Sequence, residues 1–234
     1  MHKFEMPKHA RERVLKRRPN EHAYERIDPA ATALVVVDMQ NYFMKEGMQA
    51  CCDTARDIVP YVNRLAAAVR GAGGTVVWIV TEALEGAVKD WPNFYELGGD
   101  KGRETRLRDL ARGSEGHALW PALQREDGDL VVTKLRYSAF IEGSSNLEAQ
   151  LRERGIDTVV ITGVATNVCC ESTARDAMMR DFRTIMVSDG NAAMSDEEHA
   201  ATLISFHIYF GDVQTTDDVI GKIGRSAGLG AAAQ

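Results

Sequence analysis

Five short apolar runs punctuate the chain, each four to six residues long and too short for a helix of ordinary length. They are Ala33 to Val37, Thr75 to Val80, Leu130 to Thr133, Thr158 to Thr162 and Thr184 to Val187. None alternates with polar residues, so each predicts a strand buried on both faces rather than one half-wet. Helical periodicity fills the gaps. Residues 53–70 carry Ile58, Val62, Leu65, Ala66 and Val69 on one face and stop at Gly71-Ala72-Gly73-Gly74. Helices are likewise predicted over 146–154, closed by Gly155, over 167–180 with Asn167 as N-cap, and over 196–209. Residues 213–215 predict a short last strand.

Strands alternating with helices at this spacing imply βαβ units, and right-handed crossovers then give a mostly parallel sheet covered on both faces. The predicted fold is α/β. Ligands in such sheets bind beyond the carboxyl ends of the strands. That rule singles out Asp38, Thr81-Glu82, Lys134, the turn from Gly163 to Cys169, and Asp189. Residues 82–128 are irregular and hold Gly86, Pro92, Gly98-Gly99, Gly113, Gly116 and Pro121. A stretch of that length within a compact domain points to a functional role.

Composition narrows the class further. Of 234 residues 44% are hydrophobic and 26% charged, which suits a globular protein and excludes a disordered one. No apolar run is long enough to cross a bilayer, and no apolar leader follows the first basic residues. The expectation is a cytoplasmic protein. The net charge of −6 conceals a basic arm: residues 1–20 hold seven Lys/Arg against two acids, +5, which leaves −11 for the remainder. An acidic body repels phosphate backbones, so nucleic-acid binding is not expected, and the arm reads as a solvated or subunit-spanning extension. The expected organisation is an arm over 1–28, one α/β domain over 29–224 and a small-residue tail over 225–234. The four cysteines form two adjacent pairs, Cys51-Cys52 and Cys169-Cys170, without the spacing of a zinc or redox site. A reducing compartment fits them, with thiols left free.

Cys169 sits where a strand turns tightly into a helix. The first turn of a helix favours the thiolate, and its unsatisfied N–H groups can hold an oxyanion. Burial as a small hydrophobe is the equally weighted alternative. Asp38 leaves an apolar strand as a carboxylate that needs a partner, and facing the thiol it would act as its base. Lys134 also ends a strand, and its ammonium beside Asp38 would keep the carboxylate ionised. Taken singly, Asp38 reads as a turn residue and Lys134 as a solvated one. Three strands of one sheet ending in a base, a cation and a nucleophile make the joint reading stronger.

The segments Val35-Val36-Val37-Asp38-Met39-Gln40-Asn41, Lys134 before Arg136-Tyr137-Ser138-Ala139-Phe140, and Gly163-Val164-Ala165-Thr166-Asn167-Val168-Cys169 with Glu171-Ser172-Thr173 occur in that order. Together they resemble the isochorismatase-like cysteine hydrolases over residues 30–220. The resemblance implies a three-layer α/β/α sandwich with a parallel sheet and a triad of Asp38, Lys134 and Cys169. It also implies a cis Val164–Ala165 peptide and an oxyanion hole from the Ala165 and Cys169 amides. No histidine lies between His22 and His117, where nicotinamidases of the family carry metal ligands, so no metal and no cofactor is expected. The segment after Lys134 looks most like the ureidoacrylate amidohydrolase and N-carbamoylsarcosine amidase type, with biuret and triuret hydrolases close by. The implied activity is cysteine-dependent hydrolysis of a linear C–N bond in a small ureido or carbamoyl compound. The implied partners are a small-molecule substrate and further copies of the chain, with neither nucleic acid nor membrane.

Candidate substrate contacts are Phe43, Arg136, Tyr137, Asn41, Glu82 and His207. Phe43 reads equally as core, Arg136 as a carboxylate clamp or a surface ion pair, and His207 as a structural histidine. Trp91 and Trp120, in the irregular region, belong to a lid or to a subunit interface. A nicotinamidase-like aromatic amidase and a catalytically silent scaffold of the same fold remain as alternatives.

Overall fold

Four of the five apolar runs become strands whose alternate side chains enter two different cores. The run from Leu130 instead forms a sheet edge and leaves Val131 47% exposed, not buried on both faces as expected. In a computed structural model, which describes residues 1–231, the strands are β1 (Thr32–Val37), β2 (Thr75–Thr81), β3 (Leu130–Lys134), β4 (Thr158–Val164), β5 (Arg183–Ala192) and β6 (Asp212–Gln214). Ala33, Val35 and Val37 of β1 point into one core with Val77, Ile79, Val159, Ile161 and Met186. Leu34 and Val36 point into the other with Val76, Trp78, Val160, Ile185 and Val187. The order across the sheet is β3-β2-β1-β4-β5-β6, and every pairing is parallel. The chain first winds outward from β1 to β3 and then crosses back to β4. The β1/β4 boundary is therefore the switch point, beyond whose carboxyl ends a crevice opens.

Helices follow in chain order: α1 (Lys8–Leu15), α2 (Asn41–Met44), α3 (Val59–Gly71), α4 (Ala87–Asp90), α5 (Pro92–Leu97) and α6 (Gly99–Asp109). Then come α7 (Leu147–Glu153), α8 (Glu171–Met179), α9 (Asp196–Tyr209) and α10 (Thr216–Ala231). The second core is roofed by α3, through Val62, Leu65, Ala66 and Val69, and by Val219 and Ile223 of α10. The first is roofed by α7, α8 and α9, through Leu147, Leu151, Ala174, Ala177, Leu203 and Phe206. This is the expected three-layer sandwich.

Four further details differ from the sequence reading. The helix expected over 53–70 begins at Val59, because Pro60 suits only its first turn; a short turn, Asp53–Arg56, precedes it. Strand β5 runs on to Ala192, across a register shift opposite Ile161 and Gly163. The Asn191 amide bridges that irregularity by donating to the carbonyls of Ile161 and Val187, at 2.9 and 2.7 Å. Helix α10 was not expected, since Gly221, Gly224 and Gly228 interrupt its pattern. A reciprocal cap starts it: Asp218 Oδ2 accepts from Thr215 N at 3.1 Å, and Thr215 Oγ1 accepts from Asp218 N at 3.2 Å. It extends into the stretch expected as a tail, whose last residues, 232–234, lie outside the described residues.

The fourth concerns the basic arm, which is packed against its own chain. Met6, Ala10 and Val14 recur every four residues and are buried, bringing α1 onto α9. Charge dominated the composition of the arm, but three apolar positions on one face decided its placement. At its start His2 stacks on His199 with ring centroids 4.3 Å apart. His2 Nε2 accepts from the Ala193 N–H at 2.9 Å, so Nδ1 carries the proton it donates to Asp196, 2.6 Å away. At its far end the buried Asp212 accepts from His22 at 3.2 Å, from Tyr24 N at 3.1 Å and from Gln214 at 2.9 Å.

Burial alone would raise the Asp212 pKa, but the hydrogen bonds from His22 and Gln214 outweigh it, and the carboxyl is held below its ordinary 3.8. The Asp212 hydrogen bond likewise outweighs burial at His22 and raises that imidazole above 6.5. A lowered carboxyl stabilises the fold above pH 3.8 and loses its contribution as pH falls through the folded value. A raised imidazole contributes below pH 6.5 and loses that as pH rises through its folded value. Asp212→Asn is therefore expected to cost about 2–3 kcal/mol in urea unfolding. The gap from the wild type should be widest between about pH 4 and 6.5 and narrow on either side. A gap under about 0.5 kcal/mol, or one flat with pH, would show that the clasp does not hold the arm.

Candidate active site

Asp38 is the first residue beyond β1, at φ +53°, a left-handed conformation uncommon outside glycine and asparagine. The turn continues with Gln40, whose amide pairs with both backbone groups of Thr81: Nε2 donates to the carbonyl at 3.0 Å and Oε1 accepts from the N–H at 2.7 Å. That clamp fixes the end of β2 against the exit of β1. Thr81 Oγ1 then donates to Asp38 Oδ1 at 2.8 Å and accepts from Lys134 Nζ at 2.6 Å. Lys134, at the end of β3, also donates to the Arg136 carbonyl at 3.0 Å and reaches Cys169 Sγ at 3.6 Å. Its ammonium lies 2.7 Å from Asp38 Oδ2. Among the described residues no well-aimed hydrogen bond reaches that oxygen, which also faces the thiol. Asp38 and Lys134 are at most 1% exposed and Cys169 5%.

Cys169 is delivered by the turn after β4. Gly163, at φ +117°, abuts β1 so closely that a Cβ there would lie 2.0 Å from the Val37 carbonyl oxygen. Only glycine allows β4 to run past β1 at this point. The Val164–Ala165 peptide is cis. One wide helical turn of π type, Thr166–Cys170, leads directly into α8. The Ala165 carbonyl accepts from the amides of Val168 and Cys170, at 3.1 and 3.2 Å. Asn167 was expected as an N-cap; it lies inside the turn, where its Oδ1 has no hydrogen-bond partner among the described residues.

The electrostatics differ from the sequence expectation at the sulfur. Burial pushes the Cys169 pKa up to about 12; Lys134 opposes this, and the Asp38 carboxylate adds to it. The dipole of one short turn is too weak against these effects, and the resting group is a thiol. Burial alone would lower Lys134, but Asp38 and then Cys169 outweigh it, so its pKa is raised and it stays charged. The resting site is thus a carboxylate, an ammonium and a neutral thiol in contact.

Beside this cluster lies a cavity of about 350 Å³ lined by Tyr42, Gln49, Phe94, Tyr95, Arg106 and Tyr137, among others. The 82–128 region supplies much of its wall as α5 and α6. Of the expected substrate contacts, Tyr137 is placed there, near enough to Cys169 that the sulfur adds to the burial raising its pKa. Trp91 stacks on Phe94 at 4.1 Å and meets Tyr137 edge-on at 5.0 Å, forming an aromatic cover. Arg136 turns away, donating to the Asp90 carbonyl at 2.6 Å with its guanidinium over Trp91. Asn41 donates to the Glu115 carbonyl at 2.9 Å, and Glu82 is paired with Arg112 at 2.9 Å. Phe43 packs between two apolar clusters, and Trp120 packs against one of them. His207 does not approach the site. It is buried 3.7 Å from Asp212, beside the arm and toward the opposite end of the sheet. Asp189 caps α10, accepting from Thr216 N at 2.7 Å. Sequence reasoning missed Tyr42, Phe94 and Arg106, which no motif flagged. Thr81 was marked only by its position at a strand end, and Gln40 only by lying in the segment Val35 to Asn41, with no role assigned.

An all-parallel sheet between two helical layers, with Asp38, Lys134 and Cys169 in contact beyond its switch point, has the architecture of an α/β/α hydrolase. Residues 32–218 match the isochorismatase domain, and the chain belongs to the isochorismatase family of hydrolases. It is 35% identical over 217 residues to the ureidoacrylate amidohydrolase RutB of Methylobacterium radiotolerans, spanning 86% of this chain and 83% of that one. A cysteine hydrolase from Pseudomonas syringae pv. phaseolicola superposes with a TM-score of 0.77 at 32% identity, over 86% of this chain and 95% of the other. N-carbamoylsarcosine amidase from Thermoplasma acidophilum gives 0.63 at 28% identity, over 80% and 96%.

A thiol raised to about 12 should be alkylated slowly at neutral pH. Followed by mass spectrometry of the Cys169 peptide, its iodoacetamide labelling rate should climb about tenfold per pH unit from 7 to 10. A plateau below pH 9 would mean that the free enzyme holds a thiolate.

Proposed function

We propose that this chain is a cysteine-dependent amidohydrolase that cleaves a linear C–N bond of a small ureido or carbamoyl compound. The observation that carries the reading is the contact of a buried thiol with a carboxylate and an ammonium beside a cavity of small-molecule size. Relatives named ureidoacrylate amidohydrolase support the ureido class of substrate.

In this mechanism Asp38 Oδ2 accepts the Cys169 proton as the sulfur attacks the substrate carbonyl. A neutral resting thiol makes that transfer part of the attack. Lys134 remains charged, holding the carboxylate in place and offsetting the negative charge passed to sulfur. The Ala165 and Cys169 amides receive the oxyanion; one such donor contributes roughly 3 kcal/mol in hydrolases of comparable chemistry. On collapse of the tetrahedral adduct the C–N bond breaks, and Asp38 returns its proton to the departing ammonia or amine. The acyl group is left on sulfur as a thioester, or a thiocarbamate if the acyl group is carbamoyl. Water, deprotonated by Asp38, then attacks the acyl carbon and releases the acid and the thiol. Thr81 takes no proton: its hydroxyl holds base and cation in register.

Ammonia release measured over ureidoacrylate, N-carbamoyl amino acids, biuret, triuret and nicotinamide should show turnover of a ureido or carbamoyl compound and little of nicotinamide. Cys169→Ala and Asp38→Asn are each expected to lose about 10⁴-fold or more in kcat. Wild-type turnover by Cys169→Ala would remove the covalent mechanism, and a preference for nicotinamide would move the chain to the aromatic amidases.

A further inference from the structure

We infer that Arg106 is the specificity-determining residue of the cavity and that it selects substrates whose far end carries a carboxylate. The inference rests on the amidase reading of the site and deepens it: among ureido and carbamoyl compounds it favours the acids over neutral biuret and triuret.

The charge pattern around the cavity leads to this assignment. Each neighbouring arginine is already engaged: Arg103 with Asp100 at 2.8 Å, Arg108 with Asp109 at 2.6 Å, Arg112 with Glu82 at 2.9 Å and Arg136 with the Asp90 carbonyl. Arg106 lines the cavity, and its Nε is buried with no hydrogen-bond partner among the described residues. Its guanidinium lies 4.9 Å from the Phe94 ring centroid and 5.9 Å from that of Tyr42. Two ring faces hold a planar cation without neutralising it. The other polar groups lining the cavity are the hydroxyls of Tyr42, Tyr95 and Tyr137 and the Gln49 amide, uncharged in their ordinary state, and the guanidinium of Arg103, which is paired with Asp100. A half-buried guanidinium packed against rings, with its Nε unpaired among the described residues and a neutral Tyr42 hydroxyl as hydrogen-bonding partner, calls for an anion. A carboxylate matches the guanidinium fork in geometry, taking two parallel N–H donors.

Position adds the second half of the inference. Arg106 is close enough for its charge to be felt at both Lys134 and Cys169. Tyr137, which lines the same cavity, directly follows Arg136, whose carbonyl accepts from Lys134 Nζ at 3.0 Å, so the cavity adjoins the cluster that holds the sulfur. A short linear molecule can present its carbonyl to Cys169 and its carboxylate to Arg106 at once. Helix α6 carries no buried residue, so it adds little to the core. Its place over the cavity instead brings Arg106 to a ligand.

The test compares 3-ureidopropionate with its neutral isostere 3-ureidopropionamide. The wild type should favour the acid by about 100-fold in kcat/KM, mainly through KM. In Arg106→Gln the ratio should fall to near unity, and Arg106→Lys should recover part of it. A parallel measurement does not depend on turnover. Succinamate binding to Cys169→Ala by calorimetry should be lost when Arg106→Gln is added. Equal handling of acid and amide by the wild type, or an acid preference that survives Arg106→Gln, overturns the inference even if the enzyme is a vigorous amidase. If no ureido compound is hydrolysed yet succinamate binding still depends on Arg106, the carboxylate site stands and the ureido reading falls.

Discussion

A lysine and an aspartate, both withdrawn from water at the carboxyl ends of the sheet, set the terms for everything around them. Either charge alone would be costly there. Asp38 and Lys134 are tolerable because they lie 2.7 Å apart and because the Thr81 hydroxyl serves one as donor and the other as acceptor. Maintaining that geometry requires the ends of β1, β2 and β3 to keep fixed positions. The Gln40 clamp on Thr81 and the left-handed turn at Asp38 are the local means. The thiol then enters a buried environment whose charges are already paired, and burial raises its pKa to about 12.

The fold handles a buried carboxylate toward the other end of the sheet by the same logic and for a different purpose. Asp212 is satisfied by His22, Tyr24 and Gln214, and the result is a clasp that holds a basic arm down. One carboxylate has a full set of donors; the other has an oxygen that no well-aimed hydrogen bond reaches among the described residues. Asp212 serves structure, whereas Asp38 Oδ2 faces an ammonium and a thiol. The same contrast separates the arginines around the cavity, where paired guanidinium groups tie elements together and Arg106 keeps its Nε unpaired among the described residues.

Much of the fold was legible because both-face burial leaves an unmistakable trace: every predicted strand exists, within a few residues of its expected ends. The residues later found in contact, Asp38, Lys134 and Cys169, were legible for a related reason. They stand where apolar strands stop, and a polar residue at such a place is conspicuous. Helix α10 and the packing of the arm were not legible, since glycine and charge outnumber the few apolar positions that determine them. Arg136 and His207 show the converse. Their residue types suit substrate binding, but the direction of a side chain after a turn is fixed by packing: Arg136 lies over Trp91, and His207 faces Asp212.

Hydrophobic periodicity is a local property of the chain, so the sequence by itself determined the layered α/β architecture and marked Asp38, Lys134 and Cys169 at the carboxyl ends of its strands. Only the tertiary structure decided the protonation of Cys169, because burial depth and the distances to Asp38 and Lys134 exist only once β1, β3 and β4 are assembled. It also decided which arginine beside the cavity keeps an unpaired nitrogen, since Glu82 and the Asp90 carbonyl, far off in sequence, engage Arg112 and Arg136.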